Sequence, residues 1–297
     1  DTIDATAFNS AITIDASASS GARLIGSTAN TNQNTLIGGS AGGFPGGNEF
    51  VLGTISTNSL VGGSNGLDTL TLTQGGALLD SAFTPISKIG TLKLEGTANT
   101  VTLGANALIA GIRTLVGGEG GDDGTGNIFN TSAYGSAGVL FQITDQDYLA
   151  NITGITGGSG VDTLKFSRDG VSVTDENVAN LTNIDVLRTA NGNNRFLFDD
   201  AFLIAGIETI IGGTGRDTVD MASNLLYTPT TNADIITVDV SAGAGYTLVS
   251  TTHNFAYAKV IGSSTNKGTV ILDGANLFDA DFVNMYQGNI GTLTMRD

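Results

Sequence analysis

The chain has 297 residues, with 28 acidic against 12 basic side chains, a formal net charge of −16, one histidine and no cysteine. That balance excludes nucleic acid and anionic membranes as natural partners, and it excludes disulfide staples and thiol chemistry. No apolar run approaches the roughly 18 residues of a membrane helix, so no membrane span is expected, and no signal peptide is visible.

Taken in chain order, apolar residues return at a nearly fixed step. Ile12, Leu36 and Leu60 open the series; Leu70, Leu92, Leu115 and Leu140 continue it, followed by Leu164, Leu187, Ile210, Ile236 and Ile261. Each unit carries two or three period-2 alternations, such as Leu70-Thr71-Leu72, Leu92-Lys93-Leu94, Val101-Thr102-Leu103 and Phe196-Leu197-Phe198, broken by Gly and Asn. This pattern reads as short strands joined by tight turns. Glycine occupies 43 positions and proline three, with no collagen-type triplet. Ala105–Ile109, Asp175–Leu181 and Ala201–Ala205 read either as short helical inserts or as corners of a coil.

A longer period lies over the short one. Residues 62–125 recur at 157–220 without a gap: Leu108-Ile109-Ala110-Gly111-Ile112 returns as Leu203-Ile204-Ala205-Gly206-Ile207, and Thr114-Leu115-Val116-Gly117-Gly118 as Thr209-Ile210-Ile211-Gly212-Gly213. The expected organisation is a single β-solenoid over 1–297, with repeats 62–156 and 157–261 and a partial third at 262–297. The expected fold is all-β: a right-handed parallel β-helix of about twelve coils of roughly 22–26 residues, with Leu, Ile, Val and Phe stacked inward. An antiparallel sandwich is the alternative.

Four Gly-rich segments carry the candidate chemistry. Gly157-Gly158-Ser159-Gly160-Val161-Asp162-Thr163-Leu164 and Gly212-Gly213-Thr214-Gly215-Arg216-Asp217-Thr218-Val219 fit the G-G-x-G-x-D-x-U nonapeptide of calcium-binding solenoids. Gly117-Gly118-Glu119-Gly120-Gly121-Asp122 matches as far as the Asp, and Gly62-Gly63-Ser64-Asn65-Gly66-Leu67-Asp68 matches with one inserted residue. Glycines let the backbone turn sharply and bring carbonyl oxygens together, while the Asp adds a hard anionic oxygen suited to Ca2+. The metal candidates are therefore Asp68, Asp122, Asp162 and Asp217 with Gly118, Gly158, Gly160, Gly213 and Gly215. The same residues also make an ordinary turn in which Asp caps backbone amides.

At these residues the chain resembles the RTX (repeats-in-toxin) family of secreted calcium-binding proteins, which includes bacterial surface-layer proteins. Ile3-Asp4-Ala5-Thr6-Ala7-Phe8 and Ile12-Thr13-Ile14-Asp15-Ala16-Ser17-Ala18 also look like such surface proteins. The resemblance implies an extracellular setting, calcium-driven folding, and use in surface lattices, adhesins, toxins or exoenzymes. In that family the nonapeptides run in tandem; here the motifs stand 55, 40 and 55 residues apart, which places Gly62 and Gly117 two coils apart. Further ligands would have to come from pairs such as Asp122 with Asp123 or Asp145 with Asp147. The third copy, Gly262-Ser263-Ser264-Thr265-Asn266-Lys267-Gly268-Thr269, has Gly where the others have Asp.

Other clusters are Asp199-Asp200, Asp279-Ala280-Asp281 and Asp175-Glu176, which read as cation contacts or as solvated loops. His253 lies near Tyr246 and Tyr257 but without a cluster of basic and acidic residues at coil spacing, so no enzyme is expected; a polysaccharide lyase, hydrolase or epimerase is the alternative. Rows such as Asn30-Thr31-Asn32-Gln33-Asn34-Thr35 and Thr97-Ala98-Asn99-Thr100 suggest a flat surface able to meet cell-surface glycan, as an adhesin would. The function expected is structural: an extracellular subunit of a surface layer, sheath, filament or adhesin that self-associates through open coil ends, with Ca2+ in its turn loops.

Overall fold

In a computed structural model of the chain, the residues described are 2–8, 10–26, 33–40, 47–55, 58–63, 68–118, 122–222, 236–255, 258–274 and 289–296. They form a parallel β-solenoid, mostly strand, with a few short helices at its corners. The chain gathers into two compact units, Asp1–Gln142 with Asn151–Val161, and Ile143–Ala150 with Asp162–Asp297.

In the first unit a main parallel ladder runs through Thr2–Asp4, Arg23–Ile25, Glu49–Leu52, Thr69–Leu72, Thr91–Leu94, Thr114–Val116 and Leu140–Ile143. Two side ladders accompany it. One joins Thr13–Asp15, Thr35–Ile37, Ser59–Val61 and Ile86–Ser87; the other joins Ala77–Leu78, Thr100–Thr102, Ile128–Asn130 and Gly154–Thr156. The second unit has its own main ladder, Thr163–Phe166, Val186–Arg188, Thr209–Ile211, Ile236–Asp239 and Ala258–Ile261. A second ladder there runs from Ser172–Val173 through Arg195–Leu197, Asp217–Met221, Tyr246–Thr251 and Gly268–Asp273 to Ile290–Arg296. Parallel strands need a long crossover, and the remainder of each coil supplies it.

The register places one buried apolar residue above another. Leu24, Phe50, Leu70, Leu92, Leu115 and Phe141 form the first unit's main column, and Leu164, Leu187, Ile210, Val238 and Val260 the second's. Three members of the expected series are thereby corrected: Phe141 replaces Leu140, and Val238 and Val260 replace Ile236 and Ile261. In the side ladder Ile14, not Ile12, stacks on Leu36. The coil length varies from 20 residues (Phe50 to Leu70) to 28 (Ile210 to Val238), so a constant sequence step slips by one or two positions. Inward and outward side chains alternate along a strand, so a slip of one position moves the series from the inward face to the outward one. Each fully buried Leu or Phe is worth about 2 kcal/mol of transfer free energy.

The three segments left open between helix and corner are short helices: Ala105–Ala110, Asp175–Val178 and Asp200–Ile204. The repeat is visible in the backbone as well. Lys88 and Asn183 both take a positive φ, 59° and 52°, and Gly111 and Gly206 do the same at 106° and 89°. Each glycine ends its insert in a conformation that L side chains resist.

Candidate functional site: the glycine-rich corners

The four Gly-rich segments occupy two kinds of corner. The segments beginning at Gly62 and Gly157 follow side strands (Ser59–Val61 and Gly154–Thr156) and lead back to main-ladder strands at Thr69 and Thr163. Those beginning at Gly117 and Gly212 leave main-ladder strands (Thr114–Val116 and Thr209–Ile211) and lead to Ile128 and Asp217. The 55–40–55 spacing is this alternation: one repeat uses the loop once on the way in and once on the way out. Gly62 and Gly117 therefore do not lie two coils apart along one corner, as a constant coil length implied.

Each motif Asp is buried at its corner. Asp68 Oδ1 accepts hydrogen bonds from the backbone N–H of Asn48 and from Asn48 Nδ2 at 2.9 Å, and its Oδ2 accepts from the N–H of Gly63. Asp122 Oδ1 accepts from Gly124 N–H at 3.0 Å and Asn127 Nδ2 at 2.8 Å; its Oδ2 accepts from Gly118 N–H at 3.3 Å. Asp217 Oδ1 accepts from Asn194 N–H at 3.0 Å and Asn194 Nδ2 at 2.8 Å, but its Oδ2 is buried without a partner. Burial pushes the Asp217 carboxyl above its ordinary value, with the Asn194 bonds opposing the shift. Asp162 is tied to the next coil through its backbone: its N–H donates to Asp185 Oδ2 at 2.6 Å, and its carbonyl accepts from the N–H groups of Asp185 and Val186.

The glycines make close stacking possible. A Cβ on Gly160 would stand 2.6 Å from the carbonyl oxygen of Ser136, and one on Gly158 would stand 3.1 Å from that of Gly135. On Gly213 and Gly215 it would strike the carbonyls of Ala190 and Gly192. Gly118 takes φ 85°. These glycines let one turn lie against the turn of the preceding coil; Asp68 then gathers amide donors from both, Asp122 from its own loop and Asp217 from Asn194 of the preceding coil.

The donor set decides how well calcium fits. Ca2+ takes six to eight oxygens, whereas the carboxylates of Asp68 and Asp122 are surrounded by N–H groups that an ion would have to displace. Asp217 offers one unpartnered oxygen. Among the described residues no group of three or more His, Asp or Glu side chains is placed to hold a metal ion. The additional ligands expected from sequence have other partners: Asp123 Oδ1 accepts from Thr125 N–H, and Asp145 pairs with Arg168 at 2.7 Å while accepting from the N–H groups of Asp147 and Tyr148.

Sequence reasoning missed the asparagines. Asn34, Asn48, Asn58, Asn99, Asn127 and Asn194 are buried, each directly before a strand, and several pass hydrogen bonds from coil to coil. Asn34 and Asn99, expected in exposed polar rows, point into this interior series instead. The signal was present: an Asx residue immediately before the first strand residue, as in Asn48-Glu49, Asp68-Thr69, Asn99-Thr100, Asp162-Thr163 and Asn194-Arg195.

A second repeated device was also missed. Asp80 accepts from the N–H groups of Gly104, Asn106 and Ala107 and so caps the helix Ala105–Ala110. In the other copy Asp175 accepts from Ala201 N–H beside the helix Asp200–Ile204. The acidic pairs Asp175-Glu176 and Asp199-Asp200 thus meet at one corner. Asp199 Oδ1 accepts from Asp200 N–H, and Phe198 packs on Phe202 with ring centroids 4.7 Å apart. Tyr246 is buried, its hydroxyl pushed up to about 12 by that burial, while His253 is exposed. Tyr257, the pair Asp279 and Asp281, and residues Ser64–Leu67 and Glu119–Gly121 of two motifs lie outside the described residues. No family model, curated protein or solved structure matches the chain.

Proposed function

We propose that the chain is a structural, self-associating building block of an extracellular layer, sheath, filament or adhesin. The observation that carries this reading is a repeated apolar exposure: Ile109 is 80% and Ile204 75% solvent-exposed, at the same position of two copies of the repeat. A large aliphatic side chain left in water twice at the same point of a repeat is a regularly spaced contact for another copy. Leu293 and Met295, exposed on the strand Ile290–Arg296, add to the available surface. The corners need no ion to close, because amide donors already occupy most motif carboxylates. Calcium then acts as a counterion between copies, offsetting the −16 charge that keeps them apart.

The test is light scattering and circular dichroism during calcium titration and EDTA reversal, on wild type and on Ile109→Ser with Ile204→Ser. The expected outcome is scattering that rises with calcium in the wild type and much less in the double variant, with EDTA leaving the β spectrum intact. Loss of the β spectrum in EDTA would return calcium to the turn loops. Equal scattering of the two proteins would remove the isoleucines from the interface.

A further inference from the structure

The second unit carries a polar cleft of about 370 Å3 lined by Lys165, Ser167, Arg188, Thr189, Asn191 and Thr214 together with small residues. Lys165 and Arg188 are register partners on adjacent parallel strands. Like charges facing each other across a ladder destabilise it unless something neutralises them, and no carboxylate among the described residues pairs with either. On the same register the next carboxylate is Asp239, two rungs beyond Arg188, and it accepts the N–H of Ser241. In a chain with 28 acidic and only 12 basic residues, such a pair calls for an anionic ligand.

The remaining lining narrows the chemistry. Thr214 Oγ1 donates to Asn191 Oδ1 at 2.9 Å, which leaves the Asn191 amide N–H groups available. Ser167 Oγ donates to the Ile143 carbonyl and Thr189 Oγ1 to that of Ile211, so both hydroxyl oxygens remain as acceptors. The cleft therefore offers a guanidinium fork and an ammonium to an oxyanion, and a donor and two acceptors to neighbouring hydroxyls. The rest of the lining is small, Gly212, Gly213, Ala190 and Ala242, and leaves room for a flat ring. A long polyanion is repelled by the net charge of −16.

We infer that the Lys165–Arg188 cleft binds a carboxylate-bearing sugar, a single uronate within an otherwise neutral glycan. This inference does not rest on the assembly reading: the cleft borders the Gly212–Asp217 corner, but its charged residues, Lys165 and Arg188, lie on ladder strands outside it.

The test is calorimetric titration of the full chain with a glucuronate-containing disaccharide, with the matching neutral disaccharide and acetate as separate probes. Saturable binding of the uronate disaccharide is expected, weakened about tenfold or more by Lys165→Gln or Arg188→Gln. Arg188→Lys, which keeps the charge and loses the fork, should fall between. Removing one of two like charges leaves the melting midpoint at or above the wild-type value, which separates lost binding from lost folding. Equal affinity for acetate or for the neutral disaccharide, absence of saturable uronate binding, or unchanged affinity in the Lys165→Gln/Arg188→Gln protein overturns the proposal.

Discussion

The corners at Asn99 and Asn194 stand one repeat apart in sequence, yet they are closed differently. Asn99 donates its N–H and Nδ2 to Asn127, 28 residues on; Asn194 donates the same two groups to Asp217, 23 residues on. The longer loop of the first copy divides the work. A neutral amide faces the interior, and the charged Asp122 sits beside it with both oxygens bonded. The shorter loop has no room for this division, so a carboxylate goes into the interior and one of its oxygens is left without a donor. Asp122 and Asp217 align in the sequence repeat, but the structural counterpart of Asp217 is Asn127. The same sequence motif can thus serve as a satisfied turn or as a strained one, depending on loop length.

The strongest way to break the comparison is Asn127→Ala. It removes the acceptor for Asn99 N–H and a donor to Asp122 inside a buried corner, at an expected cost of about 2–3 kcal/mol in urea unfolding. A loss below about 0.5 kcal/mol would show that the loop, and not the amide, closes the corner.

Asp217→Asn sharpens the comparison in the opposite direction. The raised carboxyl means that the folded chain holds a proton over a pH range where the unfolded chain has released it. This contribution to stability is complete below the unfolded value and is lost as pH rises through the folded value. Replacing the carboxylate by an amide should stabilise the protein by about 1 kcal/mol at pH 7 and flatten that part of the pH profile. Unfolding curves between about pH 3 and pH 7 read both effects. Destabilisation at pH 7 would mean that Oδ2 has found a partner in solution.

Much of this was legible before any coordinates. Leu70, Leu92, Leu115, Leu164, Leu187 and Ile210 stack as their spacing indicated, because strands of three or four residues with their Leu or Ile second in the strand leave little freedom of register. The slip at Leu140 arose because Phe141 is a larger inward group and the preceding loop is longer. The corners were harder. A Gly-Gly-x-Gly-x-Asp segment permits a tight turn whether its carboxylate faces an ion or an amide, and at Asp68 and Asp217 the neighbouring coil supplies amide donors. Asn48 and Asp68 are 20 residues apart, a distance at which no local pattern marks them as partners.

The smallest effect separates the two helix-capping aspartates. Burial opposes the charge of Asp80, but the amides of Ala107, Asn106 and Gly104 outweigh it and hold the carboxyl below its ordinary value. Its stabilisation is therefore present above the unfolded value and is lost as pH falls through the folded one. At Asp175, burial and then the charges of Asp199 and Asp200 overcome the amides of Ala201 and Phe202 and push the carboxyl up, so that contribution weakens as pH rises. Asp80→Asn should cost about 1 kcal/mol at pH 7, whereas Asp175→Asn should cost less, because the lost cap is offset by relief of three crowded carboxylates. Measured at about pH 3, where the carboxyls begin to take up protons, the two substitutions should converge. Equal costs at pH 7 would mean that the Asp199 and Asp200 charges are fully screened by solvent and do not weaken the Asp175 cap.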